Sequence, residues 1–456
     1  MSFTEFINNC EQSEDVEITH AILCSQDRVL AKYVKYPYKM DSLKLFFSMT
    51  KSFASFAIGI ASDLGLLNID DYIVKYFEDE LPQIPDQNLD KVTIRNLLTM
   101  SSGIHDNTYG ELVGQNNWIK AFLRQAFPHE PGTYYRYSTH GSHMLSAIIT
   151  KVSGVSLADF LNQYMFHPME IYEAQWEYAP EGLIAGGMGL SLYPMSMVKV
   201  AQMLLNKGAY QGKRIISEEY LSIASNVQII KQDEAGDSEK VYSGAGYGFQ
   251  IHIGKDGYYR LDGAFGQVCL ICPEKERAVI IFSQKSKTET VLKLIYEDLL
   301  GDTGNEKIFG NDIWNLKMKS PEAPFQKCIA EYAKIPLAKY CIDDNPLGIE
   351  SLKFARNAQD MELKLYRRDR VDTIWFAFEK HAEGSMYFVK DLQEHLQEYV
   401  CTAKYENSLK LQVYLIETPY VATYQFGFDG NEVEFNFSIN VSFTLKNFVV
   451  KGHLEK

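Results

Sequence analysis

Ser48-Met49-Thr50-Lys51 is the first place in the chain where residue type and spacing suggest chemistry. At i and i+3 on a helix two side chains share a face, so the lysine amine can reach the serine hydroxyl. A serine hydroxyl is a poor nucleophile until a base takes its proton. Lysine serves as that base only when burial or nearby cations bring its pKa far below the free value of ~10.4. The neighbours supply burial: Phe46 and Phe47 precede the pair, and FASFAIGIA follows it. The spacing by itself leaves a catalytic pair and an ordinary helix start equally open. A Ser-x-x-Lys arises by chance about once in a chain of this length and ordinary composition. A second one is present, Ser196-Met197-Val198-Lys199. It follows Pro194, so Ser196 is expected to cap a helix and Lys199 to face water.

Other groupings carry less. His140 and His143 lie one helical turn apart without an evident third ligand, which favours capping or surface positions over a metal. Cys269 and Cys272 form a CxxC inside a strand-like run, where i and i+3 point to opposite faces and are expected to pack in the core. The glycines of Gly186-Gly187-Met188-Gly189 lack the strand-to-helix setting of a nucleotide loop and are expected to permit a tight turn near a pocket. No metal and no cofactor is expected.

The elements that must hold these residues follow from the patterning. EITHAILC and RVLAKYV flank the polar Ser25-Gln26-Asp27 and predict a hairpin over 17–36. Phe53, Phe56, Ile60 and Leu64 recur at helical spacing before Gly65. Thr93 is placed to cap a short helix that Gly103 ends, and Met144, Leu145, Ile148, Ile149 and Val152 mark another, closed by Gly154. Residues 194–206 predict one more helix. Strands return at GYGFQIHI, GYYRLDGAFGQ, VCLICPE and AVIIFSQ, with Asp256-Gly257 as a hairpin turn, and TETVLKLIYEDLL closes the region as a helix. Strands at both ends with helices between predict an α+β domain, an antiparallel sheet covered by helices, over 1–300. Residues 301–323, rich in Gly, Asn, Asp and Pro, read as a linker. Residues 324–456 run as short alternating strands and predict an all-β domain, a meander or small barrel with Tyr and Phe as its core. Tyr405-Glu406-Asn407 falls there as a turn.

The chain has 456 residues, 46% of them hydrophobic and 23% charged, as expected of a folded protein of two or three domains. Its formal charge of -14 argues against nucleic acid and anionic membrane as partners, since both repel an acidic surface. Seven irregularly spaced cysteines suit a reducing compartment. Residues 1–20 lack the basic start and apolar run of a secretory signal, and FASFAIGIASDLGLL is shorter than the ~20 residues a membrane span needs. The expectation is a cytoplasmic protein that does not insert into membranes.

Three stretches together resemble the penicillin-recognising serine hydrolases: serine β-lactamases, penicillin-binding proteins, D-alanyl-D-alanine peptidases and related esterases. They are FFSMTKSFASFAIGIASDLGLLNIDD, VTIRNLLTMSSGI, and the pair PGTYYRYSTHGSHMLSAIITKVSG and YYRLDGAFGQVCLICPE. GGMGLSLYPMSMVKVAQMLLNKGAYQGKRI adds support. They occur in the family's order over roughly residues 17–300, and the esterase and cephalosporinase type is the nearest.

The resemblance implies an acyl-enzyme on Ser48 with Lys51 as base and Tyr137 as proton carrier. It departs in two places. Where the family has Tyr-x-Asn, this chain has Thr139, whose hydroxyl offers one donor in place of an amide. Where the family has Lys-x-Gly or His-x-Gly on a strand, this chain has Leu261-Asp262-Gly263, without the basic residue that attracts a substrate carboxylate. Arg260 is one position away and points to the opposite face of a regular strand. Lys255-Asp256-Gly257 fits the pattern but sits in the predicted hairpin turn. Gly263 still permits close approach, and the amides of Ala264 and Ser48 are the implied oxyanion donors. The implied activity is an esterase, amidase or D-amino-acid peptidase acting on a small ester, amide or short peptide. A slowly acylating ligand sensor is the alternative, ahead of a true β-lactamase. Oligomeric state is open.

Overall fold

A computed structural model describes residues 2–106, 109–233, 236–300, 313–316, 325–357 and 360–455. The chain divides into two compact units. The first comprises Met1–Tyr33, Leu43–Trp314 and Asp391–Gln393, the second Val34–Ser42, Asn315–Lys390 and Glu394–Lys456. Of the predicted linker 301–323, all but Ile313–Leu316 lies outside the described residues. Those four form an edge strand of the nine-stranded sheet.

The first unit is α+β, as its patterning predicts. Its nine-stranded sheet pairs Val16–Cys24, near the N-terminus, with Arg277–Ser286, near the end of the unit. From there the sheet continues through Gln267–Cys272 and Tyr259–Gly263 to His252–Ile253, Gly246–Tyr247 and Ile229–Ile230. Val16–Cys24 and Gln267–Cys272 are buried along nearly their whole length, because helices cover both faces. The helix Phe3–Gln12, set by a capping box between Ser2 and Glu5, packs Phe3, Phe6, Ile7 and Cys10 into one face. Each large side chain so buried contributes on the order of 2 kcal/mol of apolar transfer energy.

The expected Asp256-Gly257 turn is present between strands paired at Tyr259 and Ile253. Thr93 caps its helix together with Asn96, but that helix ends at Leu98. Met100 takes a left-handed φ of 58°, and Gly103, at φ 101°, serves the loop beyond. A Cβ on Gly103 would collide with the His129 carbonyl.

Ser196 does not cap. Tyr193 holds the N-cap and Pro194 the first helical position, so Ser196 lies inside the first turn and donates to Glu173, while Lys199 donates to the Glu170 carbonyl at 2.7 Å. His140 and His143 correct a second expectation, since both are buried. His143 pairs with Glu181 at 2.8 Å, and Trp118 meets both rings edge-on. Cys269 and Cys272 are both buried in the sheet.

The second unit is one ten-stranded antiparallel sheet in which sequence neighbours pair throughout except between Val371–Phe376 and Ala382–Val389. Its first described strand, Lys339–Ile342, pairs with its last, Phe448–Leu454, which curls the meander into a near-barrel. Burial alternates along Asp360–Arg367, Leu409–Leu415 and Glu432–Ile439, so one face of each strand fills the interior. Across the unpaired seam the Tyr399 hydroxyl accepts from the Trp375 amide at 2.7 Å and donates to the Thr373 carbonyl at 3.1 Å.

Candidate active site

Ser48 lies in a short 3-10 turn, Phe47–Met49, that runs directly into the helix Thr50–Asp63. Sequence spacing places it on the helix itself, but the tighter turn keeps the reach. The Lys51 amine donates to the Ser48 hydroxyl at 3.0 Å. Phe47 precedes the serine with φ 48°, a left-handed conformation that costs a bulky residue on the order of 1–3 kcal/mol. The surrounding packing offsets that cost, with Phe47 set edge-on against Phe265 at 5.2 Å and Phe46 stacked on Phe282. The helix that follows is buried on all sides from Thr50 to Ala61, which fixes Lys51.

Lys51 is 1% exposed. Its amine also donates to the Gly187 carbonyl at 2.6 Å and lies 4.9 Å from the centre of the Tyr137 ring. Burial pushes its pKa down to about 7, with the Asp391 carboxylate opposing the shift. The amine is therefore half deprotonated near neutrality, as a general base requires.

Tyr137 stands just before the helix Thr139–Ser153, whose N-cap is Ser138. Its hydroxyl is hydrogen-bonded with that of Ser48, burial pushes its pKa above the ordinary tyrosine value, and the nearby Asp262 adds to the rise. Thr139 is buried and packs against Gly187. A Cβ on Gly187 would stand 2.6 Å from the Thr139 carbonyl, and one on Gly186 would stand 2.8 Å from that of Ser142. These two glycines let the turn press onto the helix and deliver a carbonyl to Lys51.

The strand Tyr259–Gly263 completes the site. A Cβ on Gly263 would run into the Phe46 carbonyl, so only glycine lets this strand lie against the segment that carries Ser48. Ala264 begins the turn that follows, and Gln267 holds its carbonyl at 3.1 Å while bonding Ser283 on the next strand. That fixes the Ala264–Phe265 peptide plane, next to the one that carries the Ala264 amide. Leu261 is fully buried. Along the strand it alternates with Arg260 and Asp262, which pair with each other at 2.9 Å. Arg260 also donates to the Ser243 carbonyl at 2.7 Å. The charged group that acts on Tyr137 is thus a carboxylate. Lys255 lies in the hairpin turn against the rings of Tyr242 and Tyr296.

Spacing singled out Ser48 and Lys51, and the resemblance implied Tyr137, Thr139, Leu261, Gly263 and Ala264; in the structure Ser48, Lys51 and Tyr137 meet, Thr139 packs on the Gly187 that receives Lys51, Gly263 lies against the Phe46 carbonyl, and Leu261 is buried in the core. Four further residues were not singled out. Gln250, at φ 57°, takes the Ser52 hydroxyl on its carbonyl, the Ser142 hydroxyl on its side chain, and donates to Leu97, so it ties three helices together. Asp262 lies within a motif but at its variable position. Asp391 acts on Lys51 and Glu177 on Asp391, and nothing in their local sequence marks them. Among the described residues no group of three or more His, Cys, Asp and Glu side chains is placed to hold a metal. No single helix among them is long and apolar enough to cross a membrane.

Comparisons with known proteins concern the family and the fold. The family model described as Beta-lactamase matches residues 21–302. Penicillin-binding protein 4* of Bacillus subtilis is 31% identical over 151 residues, which is 31% of this chain and 32% of that protein. The chain spans between about a quarter and about half of the length of the curated relatives it matches. Among solved structures, the octameric penicillin-binding protein homologue from Pyrococcus abyssi superposes with a TM-score of 0.51 at 18% identity, covering 98% of each chain. The penicillin-binding protein from Bacillus halodurans gives 0.50 at 16% identity over 65% of this chain and 99% of that one. At such identities the structural likeness concerns the fold.

Proposed function

The chain belongs to the beta-lactamase family, and from that premise we propose that it is a serine hydrolase acting on small esters or amides through an acyl-enzyme on Ser48. The observation that carries the reading is the hydrogen-bonded set of Ser48, Lys51 and Tyr137 around an amine kept near neutrality by burial. In the first step Lys51 accepts the Ser48 proton as the hydroxyl oxygen bonds to the substrate carbonyl carbon. The amides of Ser48 and Ala264 hold the oxyanion, each contributing on the order of 3 kcal/mol to the transition state. As the bond to the leaving oxygen or nitrogen breaks, Tyr137 gives that atom a proton and is recharged from Lys51. Water then repeats the cycle on the acyl group and frees the acid. Burial favours the neutral phenol of Tyr137, so it acts as an acid that relays protons.

The preferred substrate lacks a free carboxylate next to the scissile bond. On the strand where the family carries a cation, Arg260 is buried and committed to Asp262 and the Ser243 carbonyl, so a substrate carboxylate is offered no cation there. Thr139 offers less to a side-chain amide than asparagine does. Both features favour simple esters and amides over β-lactams. They also motivate a second reading, a ligand sensor that acylates and turns over slowly. Turnover of an ester panel by wild type, Ser48→Ala and Tyr137→Phe tests the proposal, and equal rates in all three would sink it. Ser48-dependent labelling by a fluorophosphonate without turnover of any ester would favour the sensor.

A further inference from the structure

We propose that Asp391 is a positioning residue that sets the charge of Lys51, the carboxyl and the amine holding one proton between them beside the Gly186–Gly189 turn. The proposal rests on the reading of Lys51 as the base for Ser48. Asp391 is 6% exposed and belongs to the same compact unit as Lys51. Its carboxylate accepts the Gly189 amide, and its Oδ2 is buried without a hydrogen-bond partner. Two residues earlier in the same turn, the Gly187 carbonyl receives the Lys51 amine at 2.6 Å. One short turn therefore grips both groups.

The arrangement is tightly built. Gly189 has φ 88°, and a Cβ there would stand 2.5 Å from that of Glu177. Glu177 Oε2 in turn accepts the amides of Leu392 and Gln393, both at 2.7 Å, which anchors the segment carrying Asp391. A carboxylate needed only to brace the Gly189 amide would gain nothing from a second oxygen buried without a partner. Burying such an oxygen is unfavourable, and more so when it is charged. A proton shared with a nearby amine lowers that cost, because either both groups are neutral or both are charged and attract.

The charged surroundings fit. Burial and then Glu177 push the Asp391 carboxyl up to about 7, while Lys51 and the Gly189 amide hold it back. Burial pushes Lys51 down to about 7 against the pull of Asp391. Beyond these, Tyr137 faces Lys51 and is itself acted on by Asp262, and His252 feels Lys51, Lys231, Lys240 and Arg260. Two buried ionisable groups that act on each other titrate as a pair, in two steps that belong to both.

The test is the titration of Lys51 itself. In full-length protein carrying [13Cε]lysine, the Lys51 signal is identified by its loss in Lys51→Met and followed from pH 5 to 10. In the wild type it is expected to move in two steps. In Asp391→Asn, which keeps an oxygen for the Gly189 amide, it is expected to move in one step with its midpoint lower by about one pH unit. A single step in the wild type, or an unmoved midpoint in the variant, overturns the proposal. Because Ser48 takes no part in this measurement, its outcome is separate from that of the hydrolase reading, which stands or falls on Ser48-dependent labelling. A bracing role alone would lower the reaction rate of Asp391→Asn without moving the acid limb of its pH profile, and that result also counts against the proposal.

Discussion

Ester hydrolysis by the Ser48 site is expected to rise with pH along the titration of Lys51. The perturbation is pH alone, and the magnitude follows from the burial of one amine. With a pKa of about 7, Lys51 is neutral in about half of the molecules at pH 7. The neutral fraction falls to about one in a hundred at pH 5 and reaches about nine in ten at pH 8. The acylation rate should therefore grow by up to about 90-fold from pH 5 to pH 8, the coupling to Asp391 spreading the rise over a wider range, and flatten above it. A lysine in water, at ~10.4, would be neutral in about one molecule in 2,500 at pH 7, so burial enlarges the base population by about a thousandfold. The sign is fixed by chemistry: the neutral form is the base, so activity is lost as pH falls through the folded pKa. The assay is kcat/KM for a p-nitrophenyl ester between pH 5 and 9, with Ser48→Ala as the blank for spontaneous hydrolysis. A level profile over pH 5–8 would refute the reasoning. So would a rate that keeps climbing tenfold per unit to pH 10, because Lys51 would then carry an ordinary amine.

Other outcomes follow from the same packing. Lys51→Met is expected to abolish acylation and raise stability at pH 7 by about 2–4 kcal/mol, because the folded state no longer holds a lysine whose pKa it depresses; the linkage sign agrees, since the penalty is full below pH 7 and fades as pH rises toward ~10.4, and urea unfolding at pH 7 and pH 10 measures both. Gly187→Ala should lower kcat at least tenfold by forcing the turn off Thr139 and moving the carbonyl from Lys51, with KM for a small ester changed less. Glu181→Gln should destabilise the protein by about 2–3 kcal/mol, as buried His143 loses its charged partner, while ester kcat stays near wild type. Tyr399→Phe should cost about 1–3 kcal/mol because the Trp375 amide and the Thr373 carbonyl lose their partner at the seam of the second unit, again read by urea unfolding.

How much of this was legible in the sequence depends on the range of the physics involved. Periodicity is local, so the Thr50–Asp63 helix, the Thr139–Ser153 helix ending at Gly154 and the alternating strands of the second unit could be read from short windows. Details set by competition at helix ends were read less well. Ser196 has the type of a capping residue, but Pro194 fixes the first helical position and moves the cap back to Tyr193. His140 and His143 look like surface residues until Trp118 and Glu181 arrive from other segments. Ser48 and Lys51 were nominated by a local pattern, a pair one turn apart that Ser196 and Lys199 share, and the resemblance of the surrounding stretches chose between them.

The charge of that pair was not legible, and the reason is physical. A lysine's pKa is set by what surrounds it in three dimensions, and here the surroundings come from distant parts of the chain. Gly187 supplies the carbonyl, Tyr137 the ring, and Asp391 the opposing carboxylate. Spacing can nominate the nucleophile and its base, because covalent geometry limits which side chains meet along a helix. It cannot say whether the base is neutral, because that depends on water being excluded by segments the helix does not contain. The glycines mark the join between the two kinds of information. Gly186, Gly187 and Gly263 carry no chemistry, yet at each a Cβ would meet another segment of the site closer than van der Waals contact allows. A glycine in such a motif is therefore a record of tertiary approach, and the sequence holds that record without naming the segment that approaches.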